Sequence, residues 1–147
     1  LVDTINYCIK EKRLEVYAWC IMSNHVHMII ATQDELLQNI MRDLKGYSSK
    51  EILKAIMQNP QESRKEWMMS LFENAGQKNS NNTKYKFWQR HNHPLVLDNP
   101  VVFEQKLNYI HNNPIKAGFV EFPEHYPYSS AKDYAEDKGL IDITLPN

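Results

Sequence analysis

The stretch that most restricts the fold is RLEVYAWCIMSNHVHMIIAT, residues 13–32. Two runs rich in β-branched and aromatic residues, roughly Glu15 to Met22 and His25 to Thr32, flank the pair Ser23-Asn24. Such runs bounded by turn residues read as strands, and two of them joined by a tight turn read as an antiparallel hairpin.

The flanking sequence is helical in pattern. Leu1, Ile5, Cys8 and Ile9 form one stripe of an amphipathic helix. From Asp34 a long pattern places Leu36, Leu37, Ile40, Met41 and Leu44 at helical spacing, with Gly46 as a point where it bends or splits. A further helix is expected after Pro60, with Trp67, Met68, Leu71 and Phe72 as its apolar stripe. GQKNSNNTK reads as a polar loop, YKFWQ as a short strand and PLVLD as a candidate strand. Asn99-Pro100 opens a helix to about Asn113, which Pro114 stops. The tail from Gly118 reads as turns and short helix. There is no internal repeat. This order predicts an α+β fold, an antiparallel β-sheet covered by helices.

The length of 147 residues predicts a single domain over 1–147. The net charge of −1 excludes a polycation, so any nucleic-acid binding must come from a local patch. Cys8 and Cys20 sit outside any CxxC pattern, which fits free thiols in a reducing, cytoplasmic setting. No apolar run reaches membrane-spanning length and no signal peptide is visible. The chain opens at Leu1 without a methionine, already in a helical pattern, and an N-terminal segment is expected to precede it.

His25 and His27 are the first chemical candidates. Side chains at i and i+2 of a strand share a face, so the two imidazoles stand together at chelating separation while Val26, Met28 and Ile30 face away. The spacing suits a divalent cation. A pair of partly solvated histidines at a strand start is the competing reading. Tyr109 is the second candidate. On a helix it shares a face with Asn113, one turn on, and with Gln105, one turn earlier. Two imidazoles and an amide oxygen leave positions open for phosphate and water, which suits Mg²⁺ or Mn²⁺ better than a closed Zn²⁺ site. Taken alone, Tyr109 also reads as a core tyrosine and Asn112-Asn113-Pro114 as a helix end.

Together these residues resemble the single-tyrosine HUH transposases, in particular the REP-associated tyrosine (IS200-like) transposases. AWCIMSNHVHMII resembles the family's strand block, with Ser23 where proline is common. LNYIHNNPIKAGFV resembles its tyrosine helix, and PYSSAKDY a third, C-terminal block. The resemblance covers nearly the whole chain and implies a ferredoxin-like (RRM-like) HUH fold. The family normally begins with a strand of the central sheet, which here would lie before Leu1. The resemblance implies Tyr109 as nucleophile, and His25, His27 and Asn113 as ligands of Mg²⁺ or Mn²⁺. It also implies cleavage and rejoining of single-stranded DNA through a 5′-phosphotyrosine. The expected DNA contains a hairpin. A homodimer is one expected state, since family members are often dimers that merge their sheets, although others act as monomers.

Tyr47, beside Arg42 and Lys45, is the rival tyrosine, but it has no metal-ligand residue at matching spacing. Arg42, Lys45 and Lys50, with Lys84, Lys86 and Arg90, are candidate phosphate contacts. Phe87 and Trp88 are candidates for base stacking. Scattered lysines equally describe a solvated face, and one of the two aromatics equally reads as core. His91 and His93 form a second HxH in a polar loop before Pro94, without a third ligand nearby in sequence. Two rival functions stay open: a metal-dependent phosphoesterase without a covalent step, and a non-catalytic nucleic-acid-binding protein.

Overall fold

The computed structural model describes residues 1–78 and 84–146. The heart of the expected polar loop, 79–83, lies outside the described residues. The protein is α+β. In chain order it contains α1 (Val2–Lys12), β1 (Leu14–Ile21), β2 (Val26–Thr32), α2 (Leu37–Gln58), α3 (Lys65–Gln77), α4 (Pro100–His111), α5 (Asn113–Lys116), a 3-10 turn (Pro123–His125) and α6 (Ala131–Tyr134). Two compact units divide within α2: one holds Val2–Ile40 with Leu95–Asn147, the other Leu1 with Met41–Pro94.

The first of these units is built on the hairpin. β1 and β2 pair antiparallel, with Cys20 opposite His27 and Ala18 opposite Ile29. The Met22 amide donates to the His25 carbonyl at 2.9 Å, closing the turn over Ser23-Asn24. A bulge at Tyr17 shifts the register between Val16 and Ala18. Cross-strand partners share a face, so Ala18, Cys20, His27 and Ile29 lie on one side, and Trp19, Val26, Met28 and Ile30 on the other. Both α1 and α4 pack on β1.

α4 starts where Asn99 accepts the Val101 amide at 2.8 Å and Pro100 fills the first turn, whose amide needs no partner. Its apolar stripe, Phe103, Leu107 and Ile110, joins the core around Ala18, Cys20, Met22 and Ile29. The helix ends at His111, because a proline at 114 clashes with the carbonyl one turn earlier. Pro114 does not end helical structure, however. It lies in the first turn of α5, where its missing N–H leaves no hydrogen bond unmade. Gly118, at φ +76°, then closes α5: its amide donates to Ile115 and that of Phe119 to Pro114, each at 2.9 Å.

The free edge of β1 is also engaged. Ile21 donates to the Tyr128 carbonyl and Ser130 to that of Trp19, both at 2.9 Å, and Thr144 donates to Val16 at 2.8 Å. The PYSS segment is therefore a bridge to β1, centred on Cys20 and Ser129. Both cysteines are buried, and neither is in a disulfide.

Several sequence expectations are corrected. α2 begins at Leu37 rather than Asp34, whose carboxylate pairs with Arg13 at 2.7 Å. Gly46 does not split it, and α2 runs unbroken through that position. α3 begins at Lys65, after a turn in which Asn59 accepts the Gln61 amide and Glu62 accepts that of Arg64. YKFWQ and PLVLD are not strands. The first is held within the unit of Met41–Pro94 by its side chains and one backbone bond: Lys86 donates to Phe72 at 2.9 Å, and the Trp88 indole to the Ser48 hydroxyl at 3.0 Å. Among the described residues no strand pairs with it, so its alternating pattern joins no ladder.

Candidate functional site

The end of the hairpin and the face of α4 place three rings together. The His25 and His27 ring centroids are 4.8 Å apart, and His27 lies 5.4 Å from Tyr109, edge to face at 74°. His27 is the second residue of β2, whereas His25 lies just before the strand, where its carbonyl accepts the Met22 amide, and not on the strand as the sequence pattern predicted. The helical period turns Tyr109 outward, 46% exposed, while Phe103, Leu107 and Ile110 go to the core.

Nδ1 of His25 lies 2.6 Å from Oδ1 of Asn24. An amide oxygen only accepts, so the proton sits on Nδ1 and the Nε2 lone pair is left for a ligand. His27 is half-buried; burial, and then the neighbouring charge of His25, lower its pKa below the usual histidine value. Both causes favour the neutral, ligating imidazole. Asn113 donates its amide nitrogen to the Tyr109 carbonyl at 2.8 Å, which fixes the side chain beside Tyr109 and leaves Oδ1 as the acceptor. It makes no hydrogen bond to either imidazole.

Among the described residues no three His, Cys, Asp or Glu side chains converge on a metal-sized site. The donors expected from the sequence are two imidazoles, which stand together, and the Asn113 amide oxygen on the element after the tyrosine helix. By donor chemistry alone, such a set would suit a hard divalent cation with several open positions and is too small for a closed structural site.

Sequence reasoning missed two residues here. Lys106 and Lys116 place their Nζ atoms 5.8 and 5.1 Å from the centre of the Tyr109 ring. The available signal was spacing: Lys106 is three positions before Tyr109 on one helix, and Lys116 three beyond Asn113.

The six candidate phosphate contacts belong to the other unit, as does Tyr47, which is 60% exposed. Lys45 is committed within that unit, donating to the Gln89 carbonyl and to Oδ1 of Asn92 at 2.8 Å, and burial lowers its pKa. Arg42 pairs with Asp43 at 3.1 Å. Lys84 lies over the Tyr85 ring, Lys50 and Arg90 are exposed, and Lys86 is half-buried. Phe87 packs between Phe72 and Trp88, with ring centroids at 5.1 and 5.0 Å. His91 and His93 are exposed, their rings 6.3 Å apart.

Comparison with known proteins meets this geometry. The sequence model of the family described as "Transposase IS200 like" matches residues 1–84, and the chain belongs to that family. The matched part carries His25 and His27 and stops short of Tyr109. A curated protein of Haemophilus influenzae bearing the name REP-associated tyrosine transposase is 28% identical over 136 residues, covering 85% of this chain and 66% of that protein. The chain thus spans just under two thirds of the length of this relative. No solved structure matches the chain. Among the described residues no helix is long and apolar enough to cross a membrane.

Proposed function

We propose that this chain is the catalytic part of a DNA transposase that cuts and rejoins single-stranded DNA through a 5′-phosphotyrosine on Tyr109. The observation that supports the reading is the 5.4 Å approach of the Tyr109 and His27 rings, a helix-borne phenol beside a histidine of β2 whose neighbour is His25. His25, His27 and Asn113 would hold Mg²⁺ or Mn²⁺, and a bound divalent ion supplies positive charge to the non-bridging oxygens of a phosphodiester.

The chain's own residues account for the rest. Tyr109 Oη attacks phosphorus in line with the leaving 3′-oxygen. The Oη–P bond forms as the P–O3′ bond breaks, and the phenol proton is balanced by the proton gained by the released 3′-hydroxyl. Attack by another 3′-hydroxyl on the phosphotyrosine reverses the sequence and frees the phenol, so strand joining needs no external energy source. The clefts lined by Asp133, Glu136 and Ile143, and by Leu97, Phe103 and Pro146, contain none of these groups. An exposed site suits a polymer passing across it. A hairpin in the DNA and a homodimer belong to this proposal through the family resemblance.

The test is a denaturing-gel assay for protein-linked DNA, using single-stranded hairpin DNA with Mn²⁺ or Mg²⁺. An adduct that requires the ion and vanishes in Tyr109→Phe supports the reading. Metal-dependent cleavage that survives Tyr109→Phe favours a phosphoesterase without a covalent step. DNA binding without cleavage favours a non-catalytic binding protein.

A further inference from the structure

Seven lysines and arginines lie in the unit that carries Tyr109, and five of them face carboxylates. Lys10 pairs with Glu11, Lys12 with Glu35, Arg13 with Asp34, Lys132 with Asp137 and Lys138 with Asp142. The two exceptions are Lys106 and Lys116. Among the described residues neither ammonium has an acidic partner, and both stand over the Tyr109 ring. They reach it from separate elements: Lys106 from α4, and Lys116 from α5, two residues past Pro114.

We infer that Lys106 and Lys116 are a cationic pair that binds the non-bridging oxygens of the scissile phosphate at Tyr109; the inference rests on the transposase reading above. The chemistry follows from the charges. A phosphodiester carries one negative charge, and in-line attack by a phenolate raises the negative charge on the equatorial oxygens. Two ammonium groups already positioned beside the nucleophile stabilise that build-up without a conformational change at the moment of reaction. With a net charge of −1 on the whole chain, such attraction has to be local. Contact of an exposed ammonium with an aromatic face is weak, so either lysine can exchange the ring for a phosphate oxygen. The same pair would hold the phosphotyrosine diester once it forms, since its phosphorus is then attached to Oη.

The experiment begins with a random-sequence single-stranded DNA pool and Mn²⁺, from which the wild-type adduct is captured and its DNA sequenced. That sequence is then used in single-turnover kinetics at saturating DNA. Lys106→Ala and Lys116→Ala are each expected to slow adduct formation by about tenfold or more, the double variant by more than either, and Lys116→Arg to recover most of the loss. The decisive comparison replaces the scissile linkage with a methylphosphonate, which lacks the phosphate charge. The alanine penalties then shrink towards none if the lysines act on that charge. Alanine variants with the wild-type rate overturn the inference and leave Tyr109 untouched. Equal penalties on both substrates overturn it too, because they mark a structural role. Absence of any wild-type adduct across the pool refutes the Tyr109 reading and this inference with it.

Discussion

Nε2 of His111 meets the Ser130 hydroxyl at 2.8 Å, inside the protein and two residues beyond the exposed Tyr109. The same oxygen accepts the Trp19 amide at 2.9 Å and reaches the Trp19 carbonyl at 3.2 Å. If Nε2 carries the proton, all three bonds form at once, with Oγ accepting two and donating one. α4 is thereby tied to β1 through a residue near the C-terminus.

Ser130→Ala should therefore cost more than a typical small-residue change. It leaves the Trp19 amide and the His111 ring buried without their partner, at about 1–3 kcal/mol for each unsatisfied group. A urea titration at neutral pH should show a loss of about 2–6 kcal/mol. Wild-type stability in this variant would mean that the seam contributes little.

The same histidine predicts acid lability. Burial pushes the His111 pKa down to about 4 from 6.5. The unfolded chain takes up this proton near pH 6.5 and the folded one only near pH 4, so stability rises with pH between those values. The contribution is complete above about pH 6.5 and is lost progressively as pH falls to about 4, amounting to about 3 kcal/mol in total. Urea midpoints should fall across that window, and His111→Gln, which does not titrate there, should flatten the slope. An unchanged slope in the variant would contradict the assignment.

Two glycines should respond with opposite signs. At Gly46, exposed in the interior of α2, an added Cβ meets nothing within 4 Å, so alanine should stabilise by about 1 kcal/mol through helix propensity. At Gly118 there is also space, but φ is +76°, so alanine should destabilise by about 1 kcal/mol or more. Thermal melts of the two variants would separate in opposite directions. Movement in the same direction would mean that one backbone conformation is misassigned.

The histidine pair should govern metal affinity. His25→Ala or His27→Ala should weaken Mn²⁺ binding at least about tenfold in calorimetric titration, as expected when a ligand is lost. Addition of EDTA should abolish adduct formation. Variants that bind Mn²⁺ as the parent does would exclude the pair as ligands.

The parts legible in the sequence are those that local periodicity determines. Alternation along RLEVYAWCIM and HVHMIIAT marked the hairpin, although β2 starts at Val26 and leaves His25 just before it, and Asn99-Pro100 marked the start of the tyrosine helix. Long-range pairing is what local patterns do not encode. Nothing near Ser130 announces its bonds to Trp19, 111 positions away. YKFWQ carries strand-like alternation, but its aromatics meet α3 and the Ser48 hydroxyl instead of a strand. Lys106 and Lys116 pass for a solvated face until the turn at Pro114 brings the second of them back over Tyr109.

The most direct test of the account is to locate the bond itself. Adduct formed on the captured single-stranded DNA with Mn²⁺ is digested with trypsin and nuclease, and the nucleotide-bearing peptide is sequenced by mass spectrometry. The account predicts a phosphodiester mass on Tyr109. A modification on Tyr47 or any other residue would contradict it, as would cleaved DNA with no nucleotide-bearing peptide.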